Sequence, residues 1–316
     1  MINTIKTLAR TAPLVHPGRR PKSILKQSKH CLRGVAFIRL TRSWFEILQR
    51  PELAVISGHH PYLYQKLQRP YLNRTLNTRR RFQALQQHYR FVVAAFSPLV
   101  RREIYATPGK LLAALPLDGV GKFGLRLSCS RQEKEGDLMI GLVNLDTGSE
   151  LFTLAFSITR FAAEPREIFI GGLQGNKLSC DKQQIIALTR SCHGLRPKAL
   201  LLFAVQTLAA VWSVACLRAV SDAMHIYRHW QKRRRVASSY DQWWLESGGQ
   251  PAADGMFDLP AVFVPRDLAS LKAKKRPVYR RRHLLLDDIA NQIEQAFRRP
   301  IKLSAVPMKP LALAMP

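Results

Sequence analysis

Three short segments hold the side chains from which a site is ordinarily built, and all lie between Ile168 and Glu246. The first is Gly171-Gly-Leu-Gln-Gly175, which follows the apolar run Ile168-Phe-Ile170. A glycine turn there, through Gly172, Gln174 and Gly175, would expose backbone N–H groups to a phosphate or pyrophosphate; the ordinary use of such glycines is a tight turn at positive φ. The second is His193-Gly-Leu-Arg-Pro-Lys198. With Pro197 opening a helix, Arg196 and Lys198 stand where the helix dipole already favours an anion, and His193 is a candidate base if it titrates near neutrality. The third is Ser221-Asp222 with His225. On a helix Asp222 and Ser221 each share a face with His225, so an Asp–His pair beside a Ser nucleophile is one reading; a Ser or Asp N-cap with a helix-face histidine is the other. None of the three is a Walker loop or a GxGxxG fingerprint, so the residues by themselves name no reaction. Five cysteines form no CxxC pair and His59, His60 and His88 are scattered, so no metal site and no disulfide framework is expected.

The elements that must position these groups follow from periodicity. Residues 1–30 read as irregular, Cys31 to Gln49 as one helix stopped by Pro51, Ile56 to Leu63 as a turn, and Leu67 to Phe91 as a basic helix. Beyond Pro108 come short apolar runs at Leu125–Ser130, Leu138–Val143, Leu151–Ile158 and Glu167–Gly171, parted by Glu135-Gly-Asp137 and Asp146-Thr-Gly148. That spacing predicts an antiparallel meander. Helices are expected over Asp181–Arg190, capped by Ser179 or Asp181, over Pro197–Trp212, over Ala223–Arg235 and over Leu284–Arg298 with Asp287 and Asp288 in its first turn. Strands are expected at Val214–Val220, Tyr240–Glu246 and Ala261–Val264. In the strand reading Trp243 and Trp244 point to opposite faces, one into the core. The result is an α+β (mixed α/β) fold with one main, mostly antiparallel sheet flanked by helices. It is compatible with an acetyltransferase-like layout, in which a strand feeds a phosphate-cradling turn before a helix. The expected division is a basic helical region at 1–110, a sheet-and-helix core at 111–300 and a loose tail at 301–316.

The chain carries a formal net charge of +29, and residues 1–110 alone hold a net +18 while 111–230 hold +3. A field of this kind draws polyanions: anionic lipid, a phosphorylated envelope precursor or nucleic acid. Further basic runs stand at Lys232–Arg235, Lys272–Arg276 and Arg280–Arg282. No RNA- or DNA-binding signature accompanies the charge, so nucleic acid is not the favoured partner. The N-terminus lacks the continuous apolar stretch of a secretory signal. Ala199–Val220 is long and apolar, but Gln206, Thr207, Ser213 and Arg218 interrupt it, so it reads as a buried helix followed by a buried strand.

His60-Pro-Tyr-Leu63, the Gly172–Gly175 string, His193–Lys198, Ser221-Asp with His225-Ile-Tyr227, Tyr240–Gly249 and Gly255-Met-Phe-Asp-Leu-Pro260 together resemble the VirK/YbjX (DUF535) family of enteric bacteria. The resemblance covers most of the chain. It implies a virulence-linked accessory factor that supports surface display of outer-membrane proteins and resistance to cationic antimicrobial peptides, and it brings no catalytic residues with it. The expectation is a cytoplasmic protein, peripheral at the inner membrane. Two alternatives stand beside it: an acyltransferase using acyl-CoA or an acyl carrier on an envelope acceptor, and an RNA-binding regulator.

Overall fold

The computed structural model describes residues 2–117, 120–161, 164–175, 182–227 and 239–298. Seven helices precede the first strand: α1 (Ile2–Val15), α2 (Pro21–Ala36), α3 (Ile38–Leu48), α4 (Pro51–His59), α5 (Leu63–Lys66), α6 (Thr78–Ala95) and α7 (Pro98–Tyr105). Strands β1 (Lys110–Leu117), β2 (Gly121–Cys129), β3 (Leu138–Asn144), β4 (Glu150–Thr159) and β5 (Glu167–Gly175) then form an antiparallel meander. Helices α8 (Lys182–Ser191) and α9 (Pro197–Val211) lead to β6 (Cys216–Ala219), which among the described strands is the one that pairs in parallel, with β5. Helix α10 (Tyr240–Glu246), strands β7 (Gln250–Pro251) and β8 (Phe257–Leu259), and α11 (Arg276–Phe297) follow. The sheet order is β1-β2-β3-β4-β5-β6-β8-β7, an α+β architecture with a mostly antiparallel open sheet.

Strand β3 is buried along Leu138–Val143, which is why it reads as an unbroken apolar run instead of an alternating one. Helix α9 packs on β3 and β4 with α11 beside it over β1, while α6 lies against β4 and α7 against β2. Neighbours on β4 divide between these layers. Phe156 meets Trp212 at the end of α9, and Ser157 meets Tyr71 from the N-terminal helical layer. The long apolar stretch at 199–220 is indeed a buried helix and then a strand, and Gln206, a buried amide of that helix, donates to the Pro260 carbonyl at 2.8 Å. Among the described residues no helix is long and apolar enough to cross a membrane.

Several expectations are corrected. Residues 1–30 are not irregular: α1 runs through Pro13, and Pro21 opens α2. Proline also stands in the first turns of α4, α7, α9 and α11, where its missing N–H costs nothing because first-turn donors have no partner in the helix. Pro51 thus ends one helix and begins another. The helix expected over Cys31–Gln49 is broken at Phe37. The basic helix starts at Thr78, not Leu67. The glycines at 171–175 are not a turn but the last half of β5, and neither Gly171 nor Gly172 has a positive φ. Tyr240–Glu246 is a helix, capped by Ser239 Oγ accepting from Gln242 N, and Ala261–Val264 is not a strand. Residues 223–227 form turns in place of the start of a helix, and Asp287 and Asp288 sit in the middle of α11. The caps proposed at Ser179 and Asp181, the run Lys232–Arg235 and the tail at 301–316 lie outside the described residues.

Candidate functional site

The connection between β2 and β3 (130–137) folds back across β4 and β5, and three glycines allow it to lie so close. A Cβ on Gly136 would stand 2.5 Å from the Phe156 amide nitrogen; on Gly171, 2.0 Å from the Glu135 carbonyl oxygen; on Gly172, 1.9 Å from Glu135 Oε2. Close approach, not turn geometry, is what these positions demand. The loop carries two carboxylates into the interior, and both are fully buried.

Asp137 is saturated. Lys66 Nζ donates to Oδ1 at 2.7 Å, Tyr89 to the same oxygen at 2.9 Å, Ser157 to Oδ2 at 3.1 Å, and the Tyr71 hydroxyl also donates to Oδ2. Burial alone would raise this carboxyl; the Lys66 ammonium, His88 and these hydrogen bonds outweigh it and hold it at about 2. Around it, burial pushes the Tyr62, Tyr71, Tyr89 and Tyr105 hydroxyls well up and the Cys129 thiol up to about 12. His88 is held neutral by burial, with its pKa down at about 4, and its Nδ1 accepts from the Ile158 amide at 3.1 Å. This is a satisfied structural network.

Glu135 is held differently. Gln174 Nε2 reaches both of its oxygens, at 2.7 and 2.8 Å. His225 Nε2 lies 3.5 Å from Oε1, near enough for an ion pair yet without hydrogen-bond geometry, and it has no hydrogen-bonding partner. Since His225 Nδ1 accepts from the Tyr227 amide at 3.4 Å, the neutral ring carries its proton on Nε2, toward Glu135. The Tyr240 ring stacks obliquely on His225, with centroids 5.1 Å apart.

Tyr240 belongs to α10, which acts as a wedge between two parting strands. β5 and β6 pair through Ile170 and Ala219 and then separate. Trp244 Nε1 takes the Val220 carbonyl at 2.8 Å on the β6 side. On the β5 side the Tyr240 hydroxyl takes both the N–H and the C=O of Leu173, at 3.2 and 3.3 Å. Burial, reinforced by Glu135 and Asp222, raises the Tyr240 hydroxyl far above the ordinary phenol range, so it stays protonated. The opposite side of α10, spaced i, i+3, i+4, i+7 as Ser239, Gln242, Trp243 and Glu246, lines a cleft of about 620 Å³ closed by α8 and the start of α9. Arg190, Arg196 and Lys198 stand around it; among the described residues the only carboxylate in its lining is Glu246, 3.7 Å from Arg196. Trp243 Nε1 is buried there without a hydrogen-bonding partner, and Lys198 Nζ lies 5.8 Å from that ring's centroid. Burial lowers the Lys198 ammonium, with Glu246 opposing.

A family model described as a protein of unknown function, DUF535, matches residues 19–295. The uncharacterized protein YbjX of Escherichia coli K12 is 34% identical over 277 residues, covering 86% of this chain and 83% of its own. The chain belongs to the DUF535 family. An uncharacterized protein of Haemophilus influenzae is 26% identical over 251 residues, 79% of this chain and 81% of that one. The family thus spans the α10 wedge, the cleft and the 130–137 loop together.

Of the residues singled out by sequence, Arg196 and Lys198 do line a cationic cleft beside α9. Gln174 is on β5 and holds Glu135, and Gly172 makes room for it; neither lines the cleft. Gly175 ends β5, where a Cβ would meet the Phe152 ring at 2.9 Å. His193 is not at a helix start. It is the left-handed C-terminal cap of α8 (φ 52°), with the Gly194 amide donating back to Thr189 and the His193 carbonyl taken by Arg282. Burial, with Arg281 and Arg282 nearby, lowers its pKa. The Asp222–His225 pair does not form. Asp222 accepts from Ser239 Oγ and the Tyr240 amide at the start of α10, and Ser221 Oγ accepts from the Met224 amide. The carboxylate that faces His225 is Glu135, which the sequence shows only as part of an acidic turn. Its one signal is an acidic pair bracketing a glycine between two strongly apolar strands, where a solvated turn needs no such pair of buried partners.

Proposed function

We propose that this protein transfers an acyl group from a phosphopantetheine thioester, acyl-CoA or an acyl carrier, to an acceptor of the bacterial envelope. The observation that carries the reading is the cationic cleft lined by Arg190, Arg196, Lys198 and Trp243. It lies on one side of α10, and the buried Glu135–His225 pair lies on the other, beside the β5 edge that Tyr240 caps. The donor set fits a phosphorylated group at the cleft: Arg196 at the N-cap of α9, Lys198 in its first turn and Arg190 at the end of α8 supply charge where helix N–H groups point. The Trp243 ring offers a face, and its unpartnered N–H a donor, to a nucleotide base. When bound, the thioester supplies the activated acyl group. The chain's own part is to hold the acceptor's proton at Glu135–His225 and to exclude water with Tyr240, Trp244 and Leu173.

Thermal denaturation with acyl-CoA tests this. Saturation at a hundred times Kd adds about 2.7 kcal/mol of stability, and reversing the cleft charges with Arg196→Glu and Lys198→Glu removes that gain. No stabilisation at millimolar acyl-CoA or acyl carrier overturns it.

A second reading favours an accessory factor held at the inner face of the envelope, where it assists surface display of outer-membrane proteins and peptide resistance. It is supported by the net +18 of residues 1–110. In that reading the protein is recovered with membranes at low salt, and a wholly soluble pool under those conditions counts against it.

A further inference from the structure

Helix α2 carries three stripes. One faces inward: Ser23, Gln27, His30 and Gly34 are at least partly buried, with His30 Nε2 3.3 Å from Thr11 Oγ1 of α1 and Gly34 so close to α1 that a Cβ would stand 2.4 Å from Leu8. The second is apolar and faces solvent: Ile24, Leu25, Leu32 and Val35 are 51, 55, 70 and 48% exposed and fall on one side of a 3.6-residue helix. The third flanks it: Lys22, Lys26, Lys29 and Arg33, all exposed. The chain's first acidic residue is Glu46, and ten Lys and Arg precede it.

A fold that had only to stay soluble gains nothing from four large apolar side chains in a row on an exposed helix. We infer that the outer face of α2 is a membrane-docking surface that lies in the plane of an anionic bilayer, with Ile24, Leu25, Leu32 and Val35 inserted among the acyl chains and the basic stripe at the phosphate level. Charge complementarity selects this occupant, because the long stems of the flanking lysines and arginine reach up to headgroups while the apolar stripe sinks. The contacts to α1 fix the helix with that stripe outward, so no refolding is needed to present it. The surface uses no residue of the cleft or of the Glu135–His225 pair, so it stands or falls apart from the acyl-transfer reading.

Sedimentation with vesicles of phosphatidylcholine alone, or enriched in phosphatidylglycerol, tests the inference on the full chain. The wild type partitions onto the phosphatidylglycerol vesicles. The double variant Leu25→Ser/Leu32→Ser binds them about 30-fold more weakly, as partial burial of two leucines demands. Leu284→Ser, which trims an equally exposed leucine on α11, binds as the wild type does. At about 1 M salt, where surface attraction is screened, the wild type retains measurable binding and the double variant none. Unchanged far-ultraviolet circular dichroism shows that the variants are folded. Equal binding by wild type and double variant, or complete release of the wild type by salt, assigns the attraction to charge alone and overturns the proposal. So does absence of binding to either vesicle, or a wild-type dimer that the double variant abolishes, since a second copy then covers the stripe.

Discussion

Asp137 and Glu135 are two residues apart on one loop, equally buried, and held in opposite ways. Asp137 accepts from an ammonium and three hydroxyls, so its charge is fully compensated and its proton is hard to add. Glu135 receives one amide group, and the histidine beside it is aimed at it without bonding. The first arrangement is what a core needs; the second is what proton transfer needs, since a saturated carboxylate has no oxygen to offer. The difference teaches that burial alone does not mark a site. The informative quantity is how much of a buried group's bonding capacity is left.

The contrast can be broken most sharply by Lys66→Met, which leaves Asp137 buried without its counter-charge. It is expected to cost about 3–5 kcal/mol in urea denaturation, or to prevent folding. Glu135→Gln keeps the Gln174 contact possible and is expected to cost no more than about 1 kcal/mol while removing the proposed transfer activity. Equal losses in the two variants would erase the distinction.

Acidification gives the next largest effect. The folded pKa of His88 is depressed to about 4, so the unfolded chain takes up the proton first, and stability present at pH 7 is lost as pH falls through the ordinary histidine value of 6.5 toward 4. The loss is roughly 3 kcal/mol for a fully maintained shift. His30, also held near 4 by burial, adds to the slope, and His88→Gln should remove its own share. The folded pKa of Asp137 is likewise depressed, but from a lower starting value, so its contribution persists until pH drops below the ordinary aspartate value of 3.8 and disappears toward 2. A flat stability profile between pH 7 and 4 would contradict a neutral buried His88.

Gly172→Ala should cost about 2 kcal/mol, because the new methyl group collides with the Glu135 carboxylate and must push it off Gln174. Circular dichroism melts would register the loss, and the acyl-CoA response should fall with it. The smallest effect is expected from Tyr240→Phe, about 1 kcal/mol, since it leaves the buried Leu173 amide unpaired while the ring stays packed on His225 and Trp244. A native-state hydrogen-exchange measurement at Leu173 should show faster exchange in that variant alone.

Much of the sheet was legible in the sequence. The runs at 138–143 and 151–158 are apolar enough to be buried whichever face they present, and the turns between them contain the expected acidic, glycine and threonine residues. The start of α9 was legible as well, because proline has few other uses at that position. The helical N-terminus was not, because proline reads as a breaker when the chain is scanned forward and as an opener only when the next turn is known. Tyr240–Glu246 resembled a strand because adjacent tryptophans suggest alternation; on the actual helix they divide between the cleft and the core. The glycines of β5 signalled a turn, yet the reason for Gly171 lies 36 residues upstream, in the Glu135 carbonyl that has to rest on it. Nothing local announces that Lys66 and Asp137 meet, or that His225 looks at Glu135 and not at its neighbour Asp222. Such pairings are fixed by topology, and single-chain patterns carry little of it.

Because both carboxylates ride on the same eight-residue crossing, assembling the interior and assembling the Glu135–His225 pair are one event. A variant that loosens the Asp137 anchor also sets Glu135 adrift, so the pair and the fold should be lost together. Lesions that disrupt the Glu135–His225 pair need not lie beside it; many should map to Lys66, Tyr71 and Tyr89 on the far side of that strap.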